Sequence, residues 1–322
     1  MGIAEAIPGV SGGTIAFITG IYERLMNVIK SFSPAALLQS LKEGGIKGLW
    51  RQIDGSFLFP LMGGMVTGIL VGITAIHELL LRFPPVVWAF FFGLIIGSAL
   101  YIGKKIKKWG ASEIGLLVIG LLVSLGITFL APSSGSEAYW FIFLSGMIAI
   151  SALILPGISG SFILLLMGMY TFVLHETVKG GLVGSVKEIV SGNMAGIDWD
   201  SILVISIFGV GALTGLFTVA NFLSWTFKKY TNQTLAILTG FMLGSLNKIW
   251  PWQEVTKRSL SSSGEEKIET SRSVFPSTFS SLEEADNIIY GTDPMLLGCI
   301  AFMVVGFFAV FLLEILDKTQ DG

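Results

Sequence analysis

Long apolar runs dominate the chain. Six of them approach the length of roughly 20 residues that a helix needs to cross the hydrocarbon core of a bilayer: residues 57–81, 86–102, 114–130, 202–227, 235–250 and 295–316. Short polar or proline-bearing breaks separate most of them, such as Arg82-Phe83-Pro84-Pro85 and the lysine-rich run 104–112. Asp293-Pro294 offers a helix start for the last run. Two further apolar stretches, 2–22 and 140–174, behave differently. Each is interrupted by a Pro-Gly-x-Ser-Gly cluster, Pro8-Gly9-Val10-Ser11-Gly12 in one and Pro156-Gly157-Ile158-Ser159-Gly160 in the other. Proline and neighbouring glycines end helices. Each stretch is therefore expected to form a half-helix, a turn and a second half-helix.

The two clusters disclose an internal repeat. A shift of 148 residues carries Pro8, Gly9, Ser11, Gly12, Gly20 and Tyr22 onto Pro156, Gly157, Ser159, Gly160, Gly168 and Tyr170. A shift of 147 carries Gly64, Thr67 and Gly68 onto Gly211, Thr214 and Gly215, and Gly93, Gly97 and Ser98 onto Gly240, Gly244 and Ser245. Glycine matches come cheaply in a chain with 40 glycines, but a proline, a serine and a tyrosine in register do not. The expected fold is all-α: one polytopic transmembrane domain over residues 1–322, with repeat one at about 1–132 and repeat two at about 140–318. Each repeat holds one broken or re-entrant helical hairpin and three transmembrane helices.

Parity decides whether the repeats are inverted or parallel. A re-entrant hairpin gives each half three crossings and inverts the halves. A fully crossing one gives four and keeps them parallel. Lysine and arginine placement slightly favours the parallel arrangement. The character of the loops favours inversion. Residues 23–56 carry five basic and three acidic residues, against two and four in their counterpart 175–201. Residues 104–113 carry four lysines and one acid, against four basic and eight acidic residues in 251–294. Inversion is the preferred expectation. The segment 251–294, with nine serines and little apolar periodicity, is expected to be a mobile extramembrane loop.

Composition agrees with a membrane protein and narrows its chemistry. Hydrophobic residues make up 52% and charged residues 13% of the 322, and mean hydropathy is +0.78. A soluble chain carries about twice that charged share. The net charge of −2 gives no reason to expect a nucleic-acid partner. The single cysteine, Cys299, excludes an intramolecular disulfide and reads as a small packed residue. No basic n-region or cleavage site marks a secretory signal peptide at the start. Two histidines and one cysteine make no zinc set, and no P-loop, dinucleotide fingerprint or GxSxG elbow is present. No cofactor or metal is expected.

The candidate chemistry lies in the broken segments. Backbone within hydrocarbon must satisfy its own hydrogen bonds, so these segments belong inside the protein or beside a water-filled cavity. Their second half-helices begin near Gly12-Gly13-Thr14 and Gly160-Ser161. Free N–H groups and partial positive charge at a helix start suit an anion. Ser11, Thr14, Ser159 and Ser161 add hydroxyl donors. Two such ends meeting near mid-membrane would form a phosphate-sized site. The plainer alternative is that the small residues only let helices pack closely. Glu5, three residues before Pro8, is a candidate proton carrier or site organiser. Arg24 could bind a headgroup, a solvated Glu23–Arg24 pair being the alternative.

At these residues the sequence resembles a known family. Ala6-Ile7-Pro8-Gly9-Val10-Ser11-Gly12-Gly13-Thr14, followed by Gly20-Ile21-Tyr22-Glu23-Arg24, resembles the polyprenyl-phosphate (undecaprenyl-phosphate) translocases of prokaryotic membranes. Leu155-Pro156-Gly157-Ile158-Ser159-Gly160-Ser161-Phe162, then Gly168-Met169-Tyr170, is similar to that family's second signature. The resemblance spans essentially the whole chain. It implies a flippase in the inner (plasma) membrane that returns the lipid carrier undecaprenyl phosphate from the outer to the inner leaflet, with that lipid and membrane lipids as partners and no catalysis. The substrate-binding residues would then be Ser11, Gly12, Gly13, Thr14, Ser159, Gly160 and Ser161, with Glu5 or Arg24 tuning charge. A rival resemblance runs from Gly2 through Ser11 to the glutamate–proline–serine signature of undecaprenyl-diphosphate phosphatases. Those enzymes add an arginine and a histidine where this chain has Gly160 and Gly13-Thr14. Without the arginine, hydrolysis lacks its main electrostatic stabiliser. An anion channel or transporter is a further alternative.

Overall fold

The computed structural model describes residues 1–5, 11–72, 77–130, 132–133, 135–170, 172–173, 198–260, 266–282 and 293–318. Helices dominate: α1 (Gly2–Glu5), α2 (Gly12–Ile18), α3 (Tyr22–Ser31), α4 (Pro34–Gln52), α5 (Gly55–Val71), α6 (His77–Arg82), α7 (Pro84–Lys105), α8 (Ala111–Thr128), α9 (Tyr139–Ile154), α10 (Gly160–Leu166), α11 (Trp199–Lys229) and α12 (Thr231–Ser245). An antiparallel hairpin, β1 (Gln253–Leu260) and β2 (Glu266–Ser273), follows, then the short α13 (Pro276–Phe279) and α14 (Leu296–Lys318).

Three of these helices, α7, α8 and α11, are each long and apolar enough to cross a membrane. α4 and α5 qualify together as a pair bent by 45°, while α9 and the apolar part of α14 are shorter. Large apolar side chains stand exposed on the outside of several helices, among them Leu70 on α5, Leu122 on α8, Val210 on α11 and Leu297 on α14. So much apolar surface would be a liability in water and is what a lipid-facing surface requires. The chain is a mostly helical polytopic membrane protein.

Lipid gives little hydrophobic drive for helices to associate, so close backbone approach has to hold them together. α7 lies against α14, with Gly93 on the Met303 carbonyl, Gly97 on that of Phe307 and Gly306 on that of Phe90. α8 lies against α12 in the same way, through Gly120, Gly240 and Gly244. α9 and α11 form a third pair, with Gly211 and Gly215 on the carbonyls of Phe143 and Met147. A β-carbon at any of these glycines would collide with the facing backbone. Positions matched by the sequence repeat do matching jobs. Gly68 packs on Gly2 and Ile3 of α1 as Gly215 packs on α9. Thr67 and Thr214 each donate to the carbonyl four residues back, at 2.9 and 2.8 Å.

Four expectations need correction. The apolar run 57–81 is not one helix: α5 stops at Val71, and α6 covers His77–Arg82. The run 235–250 is helical only to Ser245, with a turn after it. The polar stretch 23–56 is mainly helical, because Ser33 caps α4 and Pro34 starts it with a preset φ. Within 251–294 the chain folds: β1 and β2 pair from Gln253–Ser273 to Leu260–Glu266. Trp252, Phe279 and Cys299 are buried in one cluster there. The indole nitrogens of Trp250 and Trp252 donate to the carbonyls of Val274 and Pro294, at 2.8 and 2.9 Å. Counting serines missed the tryptophans that anchor this segment.

Candidate functional site

The two interrupted segments build the same local object. α2 and α10 are seven residues each, and a serine with extended backbone caps each one. Ser11 Oγ accepts the Gly13 N–H at 3.1 Å, and Ser159 Oγ accepts the Phe162 N–H at 3.5 Å. Each helix stops at a glycine in the left-handed region, Gly20 (φ 72) and Gly168 (φ 68), a conformation that costs a β-carbon-bearing residue energy. That explains why α10 ends at Leu166 instead of running on to residue 174.

The first object is docked against the end of α9, whose last carbonyls lack intrahelical partners. Ser11 donates to the Leu153 carbonyl at 3.4 Å, and the Tyr22 hydroxyl donates to that of Ile154 at 3.0 Å. Thr14 Oγ1 accepts the Gly157 N–H at 3.1 Å. Gly13 permits the approach, since a β-carbon there would sit 2.8 Å from the Ile154 oxygen. Ser11, Thr14 and Tyr22 are 2%, 0% and 2% exposed, so these hydroxyls join the two segments and do not meet solvent in this conformation. Gly12 and Gly13 are buried with them.

The second object is more open. The Ser159 and Ser161 hydroxyls lie 2.9 Å apart, with Ser161 exposed, and Gly160 is seated against the Ala149 carbonyl of α9. Ser159 lines a cavity of about 20 Å³ together with Ser124 and Thr128 of α8, Ser245, Phe162 and Lys248. That volume suits a water-sized group. A larger open hollow, of about 500 Å³, lies among α3, α4 and α11 and is lined by Asn27, Lys30, Ser33, Gln52 and Asn221.

The structure therefore brings Ser11, Gly13 and Thr14 to the turn after α9, and Ser159 to the cavity. It does not bring Arg24 to either. Arg24 makes a two-pronged ion pair with Asp54, at 2.7 and 3.0 Å, and lies over the Phe57 ring at 4.4 Å. Pro8, Gly9 and Val10 lie outside the described residues, as does the Glu5 side chain. Lys248, which the sequence places within an apolar span without suggesting a role, lies in the wall of the cavity. Its signal was present: it is the one basic residue in the apolar run 235–250.

Comparison with known proteins identifies the family. A polyprenyl-phosphate transporter of Vibrio cholerae is 42% identical over 282 residues, covering 88% of this chain and 85% of the relative. A polyprenyl-phosphate transporter of Staphylococcus aureus is 28% identical over 266 residues, covering 78% and 83%. No solved structure matches the chain. The family model described as undecaprenyl phosphate translocase-like matches residues 1–267, which take in both Ser-capped half-helices and the cavity beside the second, and the chain belongs to that family.

Proposed function

We propose that this protein is a flippase that carries undecaprenyl phosphate from the outer to the inner leaflet of the plasma membrane and performs no chemistry on it. The observation that carries the reading is the docking of the first Ser-capped half-helix on the turn that leads into the second, beside a hydroxyl-lined cavity, in a chain whose surface suits lipid. Its relatives' names point the same way. A lipid phosphate has a head that hydrocarbon rejects and a tail that hydrocarbon accepts. The protein has only to offer the head a polar route while the tail stays in the bilayer. Ser159, Gly160 and Ser161 contact the phosphate directly. Ser11, Gly12, Gly13 and Thr14 hold the crossing of the two segments, and their hydroxyls reach the headgroup when that crossing opens. Glu5 remains a proposed organiser of charge; Arg24, already paired with Asp54, is a brace on α3 and α5.

The halves are inverted repeats in this reading. The matched half-helices and the glycine seams, which pair α7 with α14 and α8 with α12 reciprocally across the two halves, support the repeat, and the contrast in loop charge favours its inversion. A cysteine at Ser262, in a Cys299→Ser background, is expected to react with an impermeant thiol label from outside the cell. Labelling only after permeabilisation would defeat inversion.

The function is tested with purified protein in liposomes carrying undecaprenyl phosphate, where an impermeant probe reports headgroup exposure. Phosphate release from the diphosphate form is measured in parallel. Protein-dependent headgroup movement without phosphate release is the expected result. Phosphate release would make the protein an enzyme, and neither signal would point to a channel.

A further inference from the structure

Lys248 sits on the turn that follows α12, in the wall of the small cavity, with Nζ over the Phe162 ring at 4.7 Å. No carboxylate pairs with it among the described residues. Lys248 is only partly exposed, and a lysine drawn partly out of water without an anion carries a desolvation cost that a bound anion would offset. Its surroundings could receive an anion. Ser124 opposite has no hydrogen-bond partner among the described residues, and Ser159 and Ser161 share one hydrogen bond between two hydroxyls.

The turn is also fixed in place, by the segment expected from the sequence to be a mobile loop. Gln253 Nε2 donates to the Lys248 carbonyl at 2.7 Å, and Ser271 donates to Gln253 Oε1. Ser273 donates to the carbonyl of the neighbouring Asn247 at 2.8 Å, and the Asn247 side chain donates to Thr128 of α8 at 2.7 Å. Four side chains, three of them from the β1–β2 hairpin, thus set the turn that carries one cation. Nothing equivalent stands among the described residues of the first half. There the matched position is Tyr101, and residues 106–110 alone join α7 to α8.

We infer that Lys248, positioned by the β1–β2 hairpin, is the counter-charge for a phosphate monoester that enters this cavity between Ser124 and Ser159. The inference rests on the lipid-phosphate reading above and adds the residue that recognises the charge and the reason for the hairpin. The cavity of about 20 Å³ admits one phosphate oxygen as it stands, so a whole headgroup widens it on arrival. The ammonium donates to the phosphate oxygens, and the serine hydroxyls complete their hydrogen bonds.

Binding of farnesyl phosphate to the full-length protein in detergent, with farnesol and inorganic phosphate as competitors, tests this. Lys248→Met is expected to weaken farnesyl phosphate by about ten-fold or more, as loss of a charge-assisted contact does. Lys248→Arg should retain most of the affinity, and Gln253→Leu should lose part of it although Lys248 is intact. Farnesol should not compete. Competition by inorganic phosphate would mark the seat as reading phosphate alone, and its failure would mark a seat that requires the lipid; both support the assignment. Equal binding by wild type and Lys248→Met, or no binding by wild type, overturns it. Liposomes separate the two ideas. Headgroup movement that persists unchanged in Lys248→Met removes the seat and leaves transport standing. Binding through Lys248 without movement leaves the seat and removes transport.

Discussion

α2 and α10 have the same length, the same capping residue and the same left-handed stop, yet their hydroxyls live in different surroundings. Those of α2 are sealed: Ser11 and Thr14 are spent on the carbonyl and N–H groups at the end of α9 and the turn beyond it. Those of α10 stand partly open beside a cavity and a cation. One motif thus serves as a lock in one place and as a lining in the other. What separates the two roles is the neighbour each meets, because a buried hydroxyl must find a protein partner whereas an open one can wait for a ligand.

Substitutions should split along that line, in order of cost to the fold. Gly13→Val forces a branched side chain against the Ile154 carbonyl and should destabilise the protein by on the order of 3 kcal/mol, read by SDS titration in mixed micelles. Thr14→Val keeps the shape but orphans the buried Gly157 N–H, for about 2 kcal/mol by the same titration. Tyr22→Phe takes a donor from Ile154 and should cost about 1 kcal/mol. The Ser159→Ala, Ser161→Ala double variant should cost no more than about 1 kcal/mol, the loss of the long Ser159 cap on α10, while slowing headgroup movement in liposomes about ten-fold. Should it unfold as readily as Thr14→Val, the contrast between lock and lining collapses. Arg24→Ala should change neither farnesyl phosphate binding nor headgroup movement, since Arg24 is committed to Asp54.

Much of this architecture is legible in the letters. Proline and glycine clusters announce the two interruptions, because those residues act locally, and the in-register Ser11–Ser159 and Gly20–Gly168 matches announce their likeness. The glycines of the helix seams also repeat at visible spacing, although which helix each one meets is a tertiary fact. Partnership was harder to read. Nothing near Thr14 in sequence suggests that its hydroxyl would hold Gly157, and Arg24 looked available until Asp54 was found beside it. Helix ends were misjudged where hydropathy outlasts the helix, as at residues 246–250. The hairpin escaped notice because its strands are polar and its hold on the membrane domain comes from Trp250, Trp252 and Phe279 lying at or beyond its ends.

Each of two glycine seams joins a helix from before residue 130 to one from beyond residue 230. Neither half of the chain can close either seam by itself. An ancestor of half this length, which the proposed duplication implies, therefore had to find a second copy of itself. On that proposal, fusion of the two copies would join partners that already fitted and make their ratio permanent. It would also free them from being identical, so that the matched positions can differ, with a tyrosine at 101 and a lysine at 248 beside a hairpin that holds it.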